Sequence, residues 1–524
     1  MRGFNIQQFL TSLPRISPFV GGSSQDHFHG ASGSSWEAVA SSSSCVSPAI
    51  PRLRSDIDTA YSSSVGSYFS LKNVELQPSC VALPRSAEDV SAAIRTLSLG
   101  AHVWKDQCQF GIRGGGHTPF KGAASLDGGI VLDLIHMPSA GLSPDHETIT
   151  VSPSTAWDTV YDTLAPYNRS AVGTKVSGVG VGGSATACGV SYLSFRYGYI
   201  CDMVENFEVV LATGDIVNAN AENNPDLWKA LRGGGNNLGV VTALTLKTVE
   251  QGPFWGGQTF HSFDLRKKVF AAHVELANSY PYDQYAHFMN TLILNNNTRS
   301  WAMANSLQYT KSDPPVPEPK VFKPFLDLPQ TPLMPGIPPN TLRVDEMPNY
   351  AREYDASKFG PKRWSFAMYS FAPDADFMEE FVQMTDEAMK PFVGLPGFLL
   401  SLNLQAVPTV MSERRGAVDS LGPIQTQGNV ILIHWALAVD EEAWEHDNDI
   451  TNAMQELFAA ADKKAKKMNV YRTYTQATYA DYWQNPFEAR SKSTVEELVR
   501  TSKKYDPLRV FQKQVPGGFK LPEL

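Results

Sequence analysis

The sequence predicts an α+β protein of two domains, and three observations lead to this prediction. Short strands and helices separated by glycine turns alternate over roughly residues 70–250. From about Gly252 the elements become longer, and residues 314–339 contain ten of the 35 prolines. From about residue 471 the chain carries one more helix pattern and a Gly- and Pro-containing end. Small strands and helices mixed in this order are typical of α+β domains.

The composition limits the classes of function. The chain has 524 residues, with 44 Lys and Arg against 53 Asp and Glu, so its formal net charge is −9. Nucleic acids and anionic membranes bind clustered positive charge, and neither is therefore an expected partner. With 42% apolar and 19% charged residues the chain is typical of globular proteins. No window reaches the apolar length of a membrane span, and residues 430–439 come nearest.

The cysteines and the N-terminal residues indicate in which cellular compartment the protein is expected. The five cysteines are too few and too scattered for a disulfide framework or a zinc site: Cys45, Cys80, Cys108, Cys188 and Cys201. We expect at least one free thiol and no metal. Pro14 and Pro18 interrupt the N-terminal apolar residues, so no signal peptide is predicted. Localisation stays open, and these features favour an intracellular protein over a secreted one.

The elements of the first domain are predicted in order along the chain. Residues 1–69 are Ser- and Gly-rich and are expected to be a weakly ordered lead-in, with structure beginning near Leu71. A strand at Cys80–Leu83 precedes a helix capped by Ser86 and ended by Gly100. Further strands are predicted at Phe110–Arg113, 130–134, Thr148–Val151, 207–212, 216–217 and 240–246, and helices at 156–164 and 226–231.

The second domain is predicted to contain longer elements. Helices are expected at Ala375–Met389 and 441–468, and an apolar strand at 429–439. The helix at 441–468 begins with acidic residues and ends with lysines, which complements its dipole. The proline-rich stretch 314–339 is expected to be a mostly extended crossing. Near the end of the chain, Thr494 is the predicted cap of a last helix.

Three glycine-rich runs point to a ligand. They are RGGGHT at 113–118, GTKVSGVGVGGSATACG at 173–189, and RGGGNNLGVVT at 232–242. Glycine lets the backbone approach a ligand closely, and successive N–H groups can form a nest for phosphate oxygens. Neither the dinucleotide-binding G-x-G-x-x-G spacing nor the P-loop spacing is present. A single such run is common in structural turns, but three together indicate an extended anionic cofactor.

At these motifs the chain resembles a known family. RGGGHT (113–118) is similar to the R-[SG]-G-G-H motif of flavin-dependent oxidases that share the FAD domain of p-cresol methylhydroxylase (PCMH) and vanillyl-alcohol oxidase. The segments at 177–183 with 189–220 and at 224–248 resemble further FAD-binding blocks, and PVPEPKVFKPFLDLP (315–329) is similar to a stretch of the family's substrate domain. YADYWQNP (479–486) and KKYDPLRVFQKQVPGGFKL (503–521) resemble C-terminal signatures. Within this family the chain is most similar to berberine-bridge-enzyme-like oxidoreductases of fungi.

The resemblance implies a two-domain flavoprotein. A PCMH-type FAD-binding domain would occupy 70–250, a substrate domain with an antiparallel sheet backed by helices 251–470, and the segment 471–524 would return to the FAD domain. The residues expected to contact FAD are Arg113, Gly114, Gly115, Gly116, His117, Thr118, Val179, Gly180, Gly182, Gly183, Gly189, Asp202, Gly239 and Val241.

The resemblance also implies covalent chemistry. Histidine at the position of His117 bonds the 8α carbon of the flavin in this family, whereas the competing interpretation is a simple turn histidine. Val176 stands where some relatives carry a second linking cysteine, so a single bond is expected. Valine at position 179 is compatible with access of dioxygen. Ala187 and Thr478 depart from the family pattern, as does Cys188, which like Cys201 is interpreted as a packing residue.

The catalytic base is the least defined part of the prediction. Relatives use a tyrosine, and Tyr479 and Gln484 match family positions near the C-terminal Q-[DN]-P signature. An unperturbed tyrosine is too weak a base, so Tyr479 would need a neighbouring cation or hydrogen bond. It could instead be a wall residue. His434 could face the pocket, although a core position is the favoured interpretation.

The resemblance implies an FAD-linked oxidase acting on a small secondary-metabolite intermediate. It would oxidise an alcohol to a carbonyl, or dehydrogenate a substrate that then cyclises, with dioxygen as the final acceptor. A flavin dehydrogenase or a sugar or amine oxidase on the same fold is the first alternative. A flavin-binding protein that has lost turnover is the second, because of Ala187, Cys188 and Thr478. The sequence names neither the substrate nor the oligomeric state.

Overall fold

The computed structural model describes residues 37–40, 51–104, 108–295, 299–313, 318–333, 336, 338–355, 360–414, 419–421 and 428–523. Most of the predicted lead-in and part of the proline-rich stretch lie outside these residues. A helix over Pro51–Gly66 is nevertheless described, so ordered structure begins before the predicted Leu71. Its Tyr61 and Val65 are buried in a cluster with Val81 of the next strand.

The first part of the chain builds a mixed four-stranded sheet, an antiparallel five-stranded sheet and a two-stranded ribbon. Its strands are β1 (Glu37–Ala40), β2 (Cys80–Leu83), β3 (Phe110–Arg113), β4 (Ile130–Asp133), β5 (Gly141–Leu142), β6 (Thr148–Val151), β7 (Arg169–Ser170), β8 (Val204–Val210), β9 (Ile216–Ala219), β10 (Val240–Lys247) and β11 (Val249–Glu250). Parallel pairs join β4 to β2 and β3, while the five-stranded sheet, in the order β5-β6-β10-β8-β9, is antiparallel.

Helices cover these sheets and connect them. Those of the first part are Leu71–Val74, Ala87–Trp104, Trp157–Leu164, Val181–Thr186, Ser194–Tyr197 and Pro225–Gly234. Those that follow are Arg266–Ala277, Lys323–Leu326, Met347–Glu353, Ala375–Met389, Val410–Arg414, Asp447–Lys467, Lys492–Tyr505 and Val510–Lys513. Among the described helices, none is long and apolar enough to cross a bilayer.

A seven-stranded antiparallel sheet dominates the second part. Its strands are β12 (Phe254–His261), β13 (Ala286–Asn295), β14 (Trp301–Tyr309), β15 (Arg343–Asp345), β16 (Arg363–Phe371), β17 (Leu399–Val407) and β18 (Val430–Val439), in the order β15-β12-β14-β13-β17-β18-β16. One face packs on the helices Arg266–Ala277, Ala375–Met389 and Asp447–Lys467 in the largest hydrophobic cluster. This confirms the predicted antiparallel sheet backed by helices.

Strand β17 shows how one sequence pattern serves both faces. Side chains alternate across a strand, so Leu400, Leu402 and Leu404 all point into the helix-covered core. Ser401, Asn403 and Gln405 point the other way, towards a cavity. The opposite face of the sheet is therefore polar at this strand and free to meet a ligand.

Two local predictions are wrong, one about a helix end and one about a helix cap. Gly100 does not end its helix, which continues to Trp104 at a modest propensity cost. The last long helix is capped by Ser491, whose hydroxyl accepts the N–H of Thr494 at 3.2 Å, and not by Thr494 itself. In the proline-rich stretch, the described residues include a short helix at Lys323–Leu326, so the crossing is not uniformly extended.

The interpretation of two cysteines as unpaired packing residues is also wrong. Cys188 and Cys201 form a disulfide, and both are fully buried. Disulfides persist mainly in oxidising compartments, so the cysteine argument for an intracellular protein no longer holds. The bond ties the end of the second glycine run to the turn before β8.

The C-terminal segment packs back onto the first part of the chain. The Asp506 carboxylate accepts the N–H groups of Val510 and Phe511, each at 2.8 Å, and Asp506 is fully buried. The resulting turn lets Gln514 accept the N–H of Phe110 in β3 at 2.7 Å. The KKYDPLRVF signature therefore has a structural role in docking this segment.

We expect Asp506→Ala to destabilise the protein. The substitution leaves two buried N–H groups without an acceptor, at about 1–3 kcal/mol each. Urea unfolding followed by circular dichroism would measure the loss in the free energy of unfolding. Asp506→Asn, which keeps one side-chain oxygen, should lose less. Equal stability of the alanine variant and the wild type would contradict this role.

Candidate functional site

The site is a cavity of about 430 Å³ between the glycine-rich loops and the polar face of the seven-stranded sheet. Backbone of the glycine runs forms one side, strands β16, β17 and β18 form another, and the C-terminal segment closes it. Ten of the predicted site residues line this cavity: Gly114, Gly115, Gly116, His117, Thr118, Val179, Gly180, Gly183, Gly189 and Tyr479.

Two glycine loops cross in direct backbone contact. A Cβ placed on Gly115 would lie 2.6 Å from the nitrogen of Gly180, and one on Gly180 would lie 2.7 Å from the Cα of Gly115. Gly116 follows with a positive φ of 64°, which favours glycine. Gly183 also lines the cavity, and a Cβ there would meet no protein atom within 4 Å. Bare backbone therefore faces the space that a bound cofactor would fill.

Arg113, predicted to contact the cofactor, lies outside the cavity. Its guanidinium forms a buried ion pair with Asp133 at 3.1 Å and donates to Ser67 Oγ at 2.8 Å and to the carbonyl of Ser64. It also lies 4.0 Å from the ring centre of Tyr68. Its role in the structure is to join the N-terminal helix to the strand that ends at the glycine loop.

Four more predicted contacts lie behind the cavity wall. Gly182 packs against Pro153, Gly239 leaves no room for a Cβ beside Val209, and Val241 is a buried β10 residue. The Asp202 carboxylate accepts the N–H of Tyr199 at 2.7 Å. The structure therefore places Gly182, Asp202, Gly239 and Val241 behind the residues that line the cavity, where they support its wall.

Gln484, predicted to be catalytic, is likewise turned away. Its amide exchanges hydrogen bonds with the backbone of Met368 in β16: the side-chain oxygen accepts the N–H at 3.0 Å, and the amide nitrogen donates to the carbonyl at 2.7 Å. The oxygen also accepts the N–H of Asp481 at 3.2 Å. Because both ends of the amide are used in this way, Gln484 fixes the C-terminal segment to the sheet.

Tyr479 and His434 lie next to each other in the wall of the cavity. Their rings stack at 4.4 Å with an interplanar angle of 20°. Burial raises the pKa of Tyr479, partly offset by a hydrogen bond from Gln405. Burial lowers the pKa of His434 to about 3, and its buried Nε2 has no hydrogen-bond partner in the described structure. The favoured core position for His434 is therefore wrong, because it lines the cavity.

His117 lies at the end of its loop on an aromatic support. Its ring stacks on Phe69 at 3.9 Å, and Phe69 in turn stacks on Trp364 at 5.3 Å. Burial lowers the pKa of His117 to about 4, so the imidazole is neutral at neutral pH. A neutral ring keeps a lone pair, which a histidine needs in order to act as a nucleophile.

Sequence reasoning missed the polar pair Lys175 and Gln405. Lys175 is buried, lines the cavity and donates through Nζ to Oε1 of Gln405. A lysine inside a glycine- and valine-rich run is unusual for a buried segment, and this was the available signal. Gln405 could have been found from the alternation Leu-Ser-Leu-Asn-Leu-Gln in residues 400–405.

The departures from the family pattern also have positions in the structure. Ala187 and Thr478 line the cavity, and Cys188 has a positive φ of 54°. Gln476 joins this region, since its amide nitrogen donates to the carbonyl of Cys188 at 2.9 Å and to Thr478 Oγ1 at 3.2 Å. The residues that depart from the family pattern, Ala187, Cys188 and Thr478, thus lie together in one part of the cavity wall, where Gln476 connects Cys188 to Thr478 by hydrogen bonds.

We expect Gly183→Ala to reduce the FAD content of the purified protein while leaving its stability within about 0.5 kcal/mol of the wild type. The new methyl group meets no protein atom and enters the cavity instead. Flavin absorbance per protein and thermal unfolding of the apoprotein would measure both effects. Gly66→Ala is the matched control, since it also meets no atom within 4 Å but lies outside the cavity. Unchanged FAD content in Gly183→Ala would contradict the role of this glycine backbone in holding FAD.

Comparisons with known proteins agree on the cofactor. Residues 78–220 match a family model described as an FAD binding domain. The FAD-dependent monooxygenase CTB5 of Cercospora beticola is 64% identical over 529 aligned residues, which cover 100% of both chains.

Solved structures show the same fold. The 6-hydroxy-D-nicotine oxidase of Arthrobacter nicotinovorans superposes with a TM-score of 0.68 at 18% identity, covering 93% of this chain and 97% of the other. A variant of berberine bridge enzyme in complex with (S)-reticuline gives a TM-score of 0.67 at 15% identity, covering 88% and 94%. These matches confirm the predicted two-domain class with a PCMH-type FAD-binding domain. The chain belongs to the fungal FAD-dependent oxidoreductases with the berberine-bridge-enzyme-like fold.

Proposed function

We propose that the protein is an FAD-linked oxidase that removes two electrons from a small secondary-metabolite intermediate. The substrate is an alcohol that becomes a carbonyl, or a compound whose dehydrogenation leads to cyclisation. One observation carries the proposal. The backbone of Gly114, Gly115, Gly180 and Gly183, which we call the glycine cradle, lines the same cavity as His117 and the polar face of the seven-stranded sheet. Cofactor and substrate can therefore lie in contact.

Bound FAD would supply the redox chemistry, as a two-electron acceptor for the substrate that dioxygen can reoxidise. Backbone of Gly114, Gly115, Gly180 and Gly183 would hold it. His117 would bond its 8α carbon, and the absence of a cysteine at position 176 supports a single bond. The neutral imidazole of His117 and its fixed orientation on Phe69 support this linkage.

The substrate side of the cavity favours a flat, largely apolar molecule with oxygen groups. Trp364 and Phe366 contribute aromatic surface, and Asn403 and Gln405 contribute amides. Tyr479 would donate a hydrogen bond to the substrate, because its raised pKa keeps the hydroxyl protonated. Aromatic walls bind planar molecules, and a few amides set their orientation.

Dioxygen is the proposed electron acceptor. Val179 lines the cavity beside the glycine crossing, where a side chain of moderate size leaves space for a small molecule. The named relative CTB5 favours a second candidate, monooxygenation, in which one oxygen atom enters the product. Sugar oxidation is the further alternative, since chitooligosaccharide oxidase shares the fold with a TM-score of 0.67.

We expect flavin fluorescence to travel with the wild-type band in a denaturing gel. Covalently held flavin survives denaturation, whereas bound but unlinked FAD is released. In His117→Ala the fluorescent band should disappear while FAD remains in the native protein, because the glycine cradle is intact. His434→Ala is the matched control and should keep the fluorescent band. A wild-type band without flavin fluorescence would contradict the covalent bond.

We expect flavin bleaching by at least one compound of a panel containing vanillyl alcohol, cinnamyl alcohol, benzylamine and cellobiose, followed by reoxidation in air. Peroxide formed in equal amount to the carbonyl product supports the oxidase. Heavy-isotope dioxygen recovered in the product, with less than stoichiometric peroxide, supports the monooxygenase. Bound flavin that no compound bleaches would favour a protein without turnover.

A further inference from the structure

Lys175 lines the cavity and has no role in the proposed function so far. It belongs to the second glycine run and directly follows Thr174, whose carbonyl accepts a hydrogen bond from the Tyr161 hydroxyl at 2.7 Å. Its side chain is 5% exposed, and Nζ donates to Oε1 of Gln405 on the polar face of the sheet. The amine therefore lies where cofactor loops and substrate wall meet.

Among the described residues, no opposite charge is found beside Lys175. Its titratable neighbours are His434 on β18 and His287 on β13, and His117 on the glycine loop and Tyr479 on the C-terminal segment line the same cavity. Burial lowers the pKa of all three histidines, so none carries charge at neutral pH. No carboxylate in the described part of the chain raises the pKa of Lys175, and burial lowers it to about 7.

The other candidates for a base are less suitable. Burial raises the pKa of Tyr479, so its hydroxyl donates a proton only with difficulty and rarely exists as the phenolate. Burial lowers the pKa of His434 to about 3, so at neutral pH its ring would hold a proton taken from the substrate only weakly. Gln484 is an amide behind the wall. An efficient base titrates close to the working pH.

We propose that Lys175 is the catalytic base that takes the hydroxyl proton of the substrate. In this step the O–H bond breaks and its proton adds to the Nζ lone pair. The carbinol C–H bond breaks with its electron pair going to the FAD oxidant, and the C=O bond forms. The proton on Nζ leaves to solvent afterwards. This assignment rests on the proposed oxidation of an alcohol.

Gln405 is a positioning residue for this base. Its Oε1 accepts from Lys175, and its amide group also hydrogen bonds to Tyr479. One side chain on β17 thereby sets the spacing between the proton acceptor and the hydroxyl donor. A substrate oxygen between Lys175 and Tyr479 would be held by one group and deprotonated by the other.

The first test needs no substrate. The FAD-loaded protein is treated with formaldehyde and cyanoborohydride across a pH series, and methylation is followed peptide by peptide with mass spectrometry. We expect Lys175 to react with a midpoint near 7, and the exposed Lys492 in the same sample shows that the reagent is active. A midpoint at or above the ordinary value of a lysine, or no reaction at Lys175, overturns the assignment.

The second test separates a base from a fixed charge. Lys175→Met removes the amine, and Lys175→Arg keeps a positive charge that cannot be given up. We expect both variants to slow flavin reduction by the best alcohol of the panel about 100- to 10,000-fold, with Lys492→Arg unchanged. The wild-type rate should rise with pH through about 7, because only the neutral amine accepts a proton. An arginine variant with the wild-type rate overturns the assignment.

The two tests distinguish failure of this inference from failure of the proposed function. Methylation of Lys175 depends on its ionisation alone, and not on which compound the enzyme oxidises. If the panel is oxidised but Lys175→Arg is fully active, the oxidase proposal stands and the base is another group. Flavin content and thermal unfolding of each variant show that the cavity is intact.

Discussion

The backbone contact between Gly115 and Gly180 is the constraint on which the site depends. Two loops that are distant in sequence touch without side chains between them, so one loop fixes the position of the other. His117 extends from the first loop, and Lys175 precedes the second. The ion pair of Arg113 with Asp133 holds the strand below the crossing. The positions of His117 and Lys175 and the shape of the cavity between them therefore depend on this one contact.

The cavity is also defined by the scarcity of stable charge inside it. Burying an ion without a partner is costly, and ionisable groups respond by becoming neutral. His117 and His434 follow this rule and act as flat polar rings. Lys175 becomes neutral less completely, because the ordinary pKa of a lysine is much higher than that of a histidine. The same burial thus yields imidazoles that stay neutral and an amine that can change its charge near neutral pH.

Local patterns made much of the fold predictable. Strands such as Phe110–Arg113 and Thr148–Val151 and the helix Ala375–Met389 are bounded by glycines or caps that any reader of the sequence can see. The cavity residues of the glycine loops were predictable for the same reason. Arg113 and Gln484 were not, since a motif records that a residue is needed without recording whether it contacts the ligand or supports the wall. The pairing of cysteines depends on tertiary contacts and leaves no local signal.

The C-terminal segment has a consequence for how the protein acquires its cofactor. Tyr479, Gly518 and Phe519 complete the cavity, and Asn237 binds the carbonyl of Phe519 at 2.8 Å. On the ribosome, the glycine loops emerge long before these residues do. The cavity therefore has its full set of walls only after the C-terminal segment has been synthesised and has packed against the glycine loops.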